Sequence, residues 1–258
     1  MSFVSAVVLG VVEGLTEFLP ISSTAHLILV GKFLKLPSDV FLSSFDIAIQ
    51  SGAILAVVYL FAGKLLADKS LLLKVLAAFV PTAIVGFTIY KLFKTYLAGN
   101  LMITVLALFF GGVFLIWFER YYFKQEKEPT AFSLDKLNYG QAMLIGLAQT
   151  LAVIPGVSRS AATIVSGMAI GLSREAVVEF SFLLAIPTML AATVYDLYKN
   201  VDTFQASQFG YLIVGFAVSF AVALWAVKFL LRYIQKNDFT AFGYYRIIIA
   251  ILAYLVLL

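Results

Sequence analysis

Six long apolar runs dominate this chain, at about residues 45–63, 71–90, 101–118, 176–198, 209–230 and 244–258. Roughly 18–20 apolar residues let a helix cross the hydrocarbon layer of a bilayer. A soluble core of 258 residues needs far less apolar surface than this. The last run is short, so it is expected to be tilted at an edge or to begin before residue 244. Hydrophobic residues make up 62% of the chain and charged ones 12%, and the alternation of a membrane β-barrel is absent. The expected fold is therefore all-α: a polytopic integral membrane protein with about six full transmembrane helices.

The chain has no cysteine and one histidine, which excludes a disulfide framework, a thiolate metal site and a multi-histidine zinc site. A net charge of +4 reads as lysine-rich cytoplasmic loops in a protein whose surroundings are lipid, and not as a nucleic-acid footprint. The N-terminal apolar segment does not read as a signal peptide, because no Lys or Arg precedes it and Glu13 and Glu17 interrupt it.

Two further apolar segments do not suit a lipid-facing span. The first runs Glu13-Gly-Leu-Thr-Glu17-Phe-Leu-Pro20-Ile-Ser22-Ser23-Thr24-Ala-His26, and the second Gln149-Thr-Leu-Ala-Val-Ile-Pro155-Gly156-Val-Ser158-Arg159-Ser160-Ala-Ala-Thr163. Each is broken by proline. Each is expected to enter as a helix, break and turn back, which is tolerated at membrane depth only where protein or a water-filled cavity covers the break. Eight full crossings are the alternative. The two halves superpose with a shift of 136, Gly10 on Gly146, Ser22 on Ser158 and Tyr59 on Tyr195. We therefore expect one membrane domain, with repeat 1 at about 1–120, a linker at about 121–138 and repeat 2 at about 139–258. Three spans after each broken segment invert the second copy, and inverted repeats place their site near the midplane where broken helices meet.

With re-entrant segments, one face carries Lys64, Lys69, Lys74, Arg120, Lys124, Lys127, Lys136, Arg174, Lys228, Arg232 and Lys236. The other carries Lys32, Lys35, Lys91, Lys94 and Lys199. Eleven against five makes the first face cytoplasmic.

The chemistry is expected where the two broken segments meet. Glu13 and Glu17 share a helix face and repel. Either one is protonated or a cation lies between them, and an oxygen-only site suits Mg²⁺ or Ca²⁺. Glu17 could instead be a general base, or the pair a proton relay or a structural element. Ser22, Ser23 and Thr24 could cap a helix, leave its N–H groups open to an anion, or both. Ser23 is within helical reach of His26, as a hydroxyl beside an activating base. Arg159 offers a planar fork to phosphate oxygens or a partner to a glutamate. Ser158, Ser160 and Thr163 add hydroxyls to a substrate site, and Gly167 and Gly171 permit close packing. Between the copies, Glu13 falls on Gln149, Glu17 on Val153, Ser23 on Arg159 and His26 on Ala162, as in a duplicated scaffold with one asymmetric site. Elsewhere, Asp46 is expected to cap a span, Glu175 and Glu179 to form surface pairs with Arg174, and Arg246 to meet lipid headgroups.

The two broken segments, with the late Phe242-Gly-Tyr-Tyr-Arg246-Ile, resemble the bacterial undecaprenyl-diphosphate phosphatases of the bacitracin-resistance type over essentially the whole chain. Ala25 and Ala161 stand where that family often has glycine. The resemblance implies hydrolysis of the C55 isoprenyl diphosphate to the monophosphate, recycling a lipid carrier of cell-wall synthesis. It also implies dependence on a divalent cation and a multi-pass protein of the bacterial inner membrane acting at its outer face. Glu13 and Glu17 are then the acidic motif, Ser23 and His26 the candidate nucleophile and acid–base, and Arg159 the diphosphate clamp. Serine attack and activated water both remain open. The rival reading is a transporter or flippase of a phosphorylated isoprenyl lipid, built on the same broken helices. The sequence leaves a homo-oligomer open.

Overall fold

The computed structural model describes residues 1–37, 39–96, 100–122, 132–200 and 208–258. The architecture is all-α. Ten helices run in order among the described residues: α1 Phe3–Thr16, α2 Ser23–Phe33, α3 Val40–Ala67, α4 Lys69–Tyr96, α5 Leu101–Trp117, α6 Tyr139–Gln149, α7 Arg159–Ala169, α8 Arg174–Asn200, α9 Phe209–Tyr233 and α10 Thr240–Leu257. A π-helical turn, Phe118–Tyr122, continues α5. Six stretches are long and apolar enough to cross a bilayer: Val40–Ala67, Lys69–Thr88, Leu101–Tyr121, Arg174–Asp196, Phe209–Tyr233 and Thr240–Leu257. The chain is thus a polytopic membrane protein, and its outward helix faces expose Leu55, Ile84, Phe110, Ile213, Trp225 and Leu252. The sixth span begins at Thr240, before the apolar run itself.

Local chemistry sets the helix ends. Asp39, not Asp46, caps α3: its carboxylate accepts from the backbone N–H of Leu42 at 2.8 Å. Asp46 lies within α3, where its buried Oδ1 has no partner. The break between the runs at 45–63 and 71–90 shrinks to Asp68 alone, which accepts from the N–H of Leu71 at 3.0 Å and caps α4. Lys64, Lys69 and Lys74 therefore belong to helices. Asn138 starts α6 with a reciprocal capping box to Gln141. The part of the expected linker at 123–131, with Lys124, Lys127 and Pro129, lies outside the described residues, as do the side chains of Lys91 and Lys94. Its described remainder holds a short turn at Leu134–Lys136. Lys74 Nζ donates to the carbonyls of Leu134 and Asp135 at 3.2 and 3.0 Å.

The four short helices pack as two hairpins, α1 on α2 and α6 on α7, against the spans: α1 on α9, α9 on α3, α6 on α4, α3 on α8 and α5 on α10. Close approach needs small residues. A Cβ on Gly10 or Gly14 of α1 would lie 2.7 Å from the carbonyl oxygens of Gly215 or Ser219 of α9. Away from the hairpins, Glu119 joins three elements. It accepts from Arg174 Nη2 at 2.7 Å and from the backbone N–H of Phe239 at 3.1 Å. Lys64 pairs with Glu179 at 2.5 Å. Arg174 and Glu179 thus tie separate helices together instead of forming the local surface pairs expected of them.

Candidate active site

The two broken segments meet. In the first, α1 ends at Thr16, Glu17 is its C-cap, and α2 begins at Ser23. In the second, α6 passes into a tight turn at Thr150–Val153 and α7 begins at Arg159. The N-cap of α2 is Ser22 at φ 71°, and that of α7 is Ser158 at φ 77°. Side chains with a Cβ rarely adopt such angles. Gly156, at φ 99°, is needed for a second reason: a Cβ there would lie 2.5 Å from the carbonyl oxygen of Thr104.

Glu17 is the junction. Its Oε1 accepts from Arg159 Nη2 at 3.0 Å, and its Oε2 accepts from Ser23 Oγ at 2.5 Å. Arg159 Nη1 donates to the carbonyl of Ser181 at 2.9 Å, and the guanidinium lies 5.8 Å from the centre of the Phe18 ring. Its Nε has no partner. Ser160 Oγ donates to the carbonyl of Leu19 at 2.8 Å, fastening the second break to the first.

These groups sit at the polar end of a cavity of about 680 Å³. Glu17, Ser22, Ser23, Thr24, Ser158 and Arg159 line that end. Phe79, Ala83, Gly86 and Phe87 of α4 and Met189, Ala191 and Ala192 of α8 form an apolar wall. Gln149, Thr82 and Thr188 add a polar strip: the Gln149 amide nitrogen donates to both threonine hydroxyls, at 2.9 and 3.1 Å. Such an enclosure suits an amphiphile with an anionic head and an apolar tail.

Four residues picked from sequence do not line the cavity. Ser160 and Thr163 are fully buried, and Thr163 Oγ1 lies 2.6 Å from Ser181 Oγ. Glu13 is also fully buried, with neither carboxylate oxygen finding a donor. His26 Nδ1 lies 2.7 Å from the carbonyl of Ser22, and its Nε2 lies 2.9 Å from the Tyr245 hydroxyl, with the two rings stacked. The Ser23–His26 pairing expected from their spacing is therefore not made. Both imidazole nitrogens are taken elsewhere, and the break turns Ser23 toward Glu17.

Sequence reading missed Gln149, Thr82, Thr188, Ser181 and Tyr245 as neighbours of the site. The shift of 136 sets Gln149 against Glu13 and Tyr245 falls in the late motif; Thr82, Thr188 and Ser181 carry no local signal. Arg246 is a correction. It meets no headgroup; it is 0% exposed and bonded to backbone carbonyls beneath both breaks.

A carboxylate sharing one oxygen with a hydroxyl and the other with a guanidinium can take the hydroxyl's proton while the guanidinium balances anionic charge. For a divalent cation the nearby donors are all oxygens, and the two unpartnered oxygens of Glu13 suit a hard ion. Among the described residues no three acidic, histidine or cysteine side chains form a ligand cluster.

Residues 6–252 match the family model described as bacitracin resistance protein BacA. The undecaprenyl-diphosphatase of Sulfurihydrogenibium sp. (strain YO3AOP1) is 49% identical over 255 residues, covering 99% of each chain. That of Aquifex aeolicus is 48% identical over 246 residues, covering 95% of each. That of Bdellovibrio bacteriovorus is 40% identical over 257 residues, covering 100% of this chain and 97% of its own.

Proposed function

Because the chain belongs to the family of the bacitracin resistance protein BacA, we propose that it is an undecaprenyl-diphosphatase, cleaving the terminal phosphate from a polyprenyl diphosphate held in the cavity. The observation that carries this reading is the Ser23–Glu17–Arg159 chain at the polar end of an apolar enclosure. The diphosphate lies at the two serine-capped helix starts beside Arg159, and the isoprenyl chain runs along the wall of α4 and α8.

Ser23 Oγ attacks the terminal phosphorus, passing its proton to Glu17 Oε2; the anhydride P–O bond breaks, and the departing lipid monophosphate takes that proton from Glu17, restoring the carboxylate. Water then hydrolyses the phosphoserine, with Glu17 as base. Phosphoryl transfer relies chiefly on positioning and charge neutralisation, and the Arg159 fork supplies both. Glu13 and Glu17 would hold Mg²⁺ or Ca²⁺, whose contribution is to neutralise phosphate charge. His26 holds the Ser22 carbonyl and so the first break.

The halves are read as an inverted duplication, α1–α5 answered by α6–α10. The lining residues at the far end, Phe87 of α4 and Tyr195 and Asp196 of α8, lie toward the span ends that carry few lysines. We assign that face to the outside of a bacterial plasma membrane, following the charge asymmetry.

The test is phosphate release from C55 diphosphate by the purified protein in detergent, with and without divalent cation, for wild type and Arg159→Ala. Cation-dependent release that is lost in the variant is expected. No release from folded wild type would overturn the reading in favour of a transporter, since detergent leaves no compartment to fill.

A further inference from the structure

Arg246 of α10 is the largest fully buried side chain among the described residues, and no carboxylate pairs with it. All five guanidinium N–H groups are directed to carbonyl oxygens. Nη1 donates to Pro20 at 3.2 Å and Val157 at 3.1 Å, Nη2 to Gly156 at 2.8 Å and Ala107 at 3.1 Å, and Nε to Leu108 at 3.4 Å. Three of these carbonyls belong to the breaks. Pro20 lies two residues before Ser22; Gly156 and Val157 directly precede Ser158. One side chain therefore grips both broken segments just upstream of the two non-glycine residues whose φ is 71° and 77°. Such conformations persist only where the surroundings over-determine them. Ser22 and Ser158 both line the cavity. Space for the guanidinium is left by Gly111 of α5, where a Cβ would collide with Nη2. Burying an arginine without an anion is costly, and a lysine, with three donors and no planar fork, cannot reproduce the five contacts.

We propose that Arg246 is a positioning residue, whose five-carbonyl fork locks the two breaks to one another and so holds Ser22 and Ser158 in register at the cavity. It touches neither Ser23 nor Glu17, so its effect on the reaction is exerted through the backbone of both breaks. The kinetic part of the inference rests on the phosphatase reading; the conformational part does not.

The experiment compares the full chain in detergent as wild type, Arg246→Met, Arg246→Lys and Gly111→Ala. It follows amide hydrogen exchange at 21–24 and 157–160 alongside phosphate release from C55 diphosphate. In Arg246→Met, exchange is expected to rise at least about tenfold at both breaks together while α9 keeps its protection. The kcat is expected to fall about 100-fold with a smaller change in KM, as misplaced reacting groups cause. Arg246→Lys should recover only part of this loss. Gly111→Ala keeps every charge and displaces only the fork. It should show the same paired exchange with a weaker kinetic loss, and it decides the matter if Arg246→Met does not fold. Wild-type exchange at either break in Gly111→Ala, or full activity in Arg246→Lys, overturns the proposal. Paired exchange in a protein that releases no phosphate even as wild type would remove the phosphatase reading and leave the positioning role standing.

Discussion

Ser23 donates its hydroxyl hydrogen bond to Glu17 at 2.5 Å, across the first break, and not to His26 one helical turn along α2. The acceptor of that bond is the group placed to take the proton. Ser23→Ala should abolish phosphate release. Glu17→Gln should keep the hydrogen bond but lose the base, lowering kcat by about 10²–10⁴-fold. Acid quench of wild type during turnover should trap phosphate on Ser23, and mass spectrometry of the peptide holding residues 17–33 reads it. Turnover in Ser23→Ala near the wild-type rate would shift the chemistry to activated water.

His26 gives the complementary prediction. Its two nitrogens are engaged by the Ser22 carbonyl and the Tyr245 hydroxyl, so it shapes the break without reaching the reacting oxygen. His26→Ala should lower kcat on the order of 10-fold, short of the 10²–10⁴ expected on losing a base. Tyr245→Phe, which removes one hydroxyl, should cost less still. A loss in His26→Ala as deep as in Glu17→Gln would return the imidazole to the role of base.

Glu13 is tested by titration with cation. Its buried oxygens find no donor, and an unsatisfied buried carboxyl is costly unless a proton or metal meets it. If Glu13 holds the cation, Glu13→Gln should raise the Mg²⁺ or Ca²⁺ concentration for half-maximal phosphate release at least about 10-fold, the range seen when a supporting metal contact is lost. Thermal stability without cation should be equal or higher, since the amide carries no charge to bury. An unchanged cation requirement would leave Glu13 as a protonated structural group.

What was legible in the sequence followed from strong, local physics. Apolar runs gave the six spans, and two prolines among costly polar groups gave the broken segments. Glu17, Ser23 and Arg159, which the structure brings together at the cavity, stand out because lipid tolerates no idle charge. What was not legible depended on direction. Ser23 and His26 are three residues apart, yet the φ of 71° at Ser22 starts α2 so that the hydroxyl turns toward Glu17. Arg246 beside two tyrosines reads as an interface anchor. Its burial depends on Gly111 and on the carbonyls of Pro20, Gly156 and Val157, which are remote in the chain. Asp46 reads as a cap because it stands at the start of an apolar run, whereas α3 starts at the residue after Asp39.

The cavity wall offers a prediction in which stability and activity part company. Gly86 of α4 lines the cavity, and a Cβ added there meets nothing within 4 Å. Replacing a helical glycine gains up to about 1 kcal/mol of helix propensity, so Gly86→Phe should fold at least as stably as wild type. Its ring would occupy the space assigned to the isoprenyl chain and should raise KM for C55 diphosphate about 10-fold, equivalent to about 1.4 kcal/mol of lost binding. The kcat should change much less, because the Ser23–Glu17–Arg159 chain is untouched. Gly14→Ala is the counterpart. Its Cβ would press to 2.7 Å from the Ser219 carbonyl, costing about 1–3 kcal/mol as overpacking does, with little effect on KM among molecules that remain folded. Thermal unfolding in detergent and steady-state phosphate release on the two variants make the comparison. A wild-type KM in Gly86→Phe would move the lipid tail to another face of the bundle.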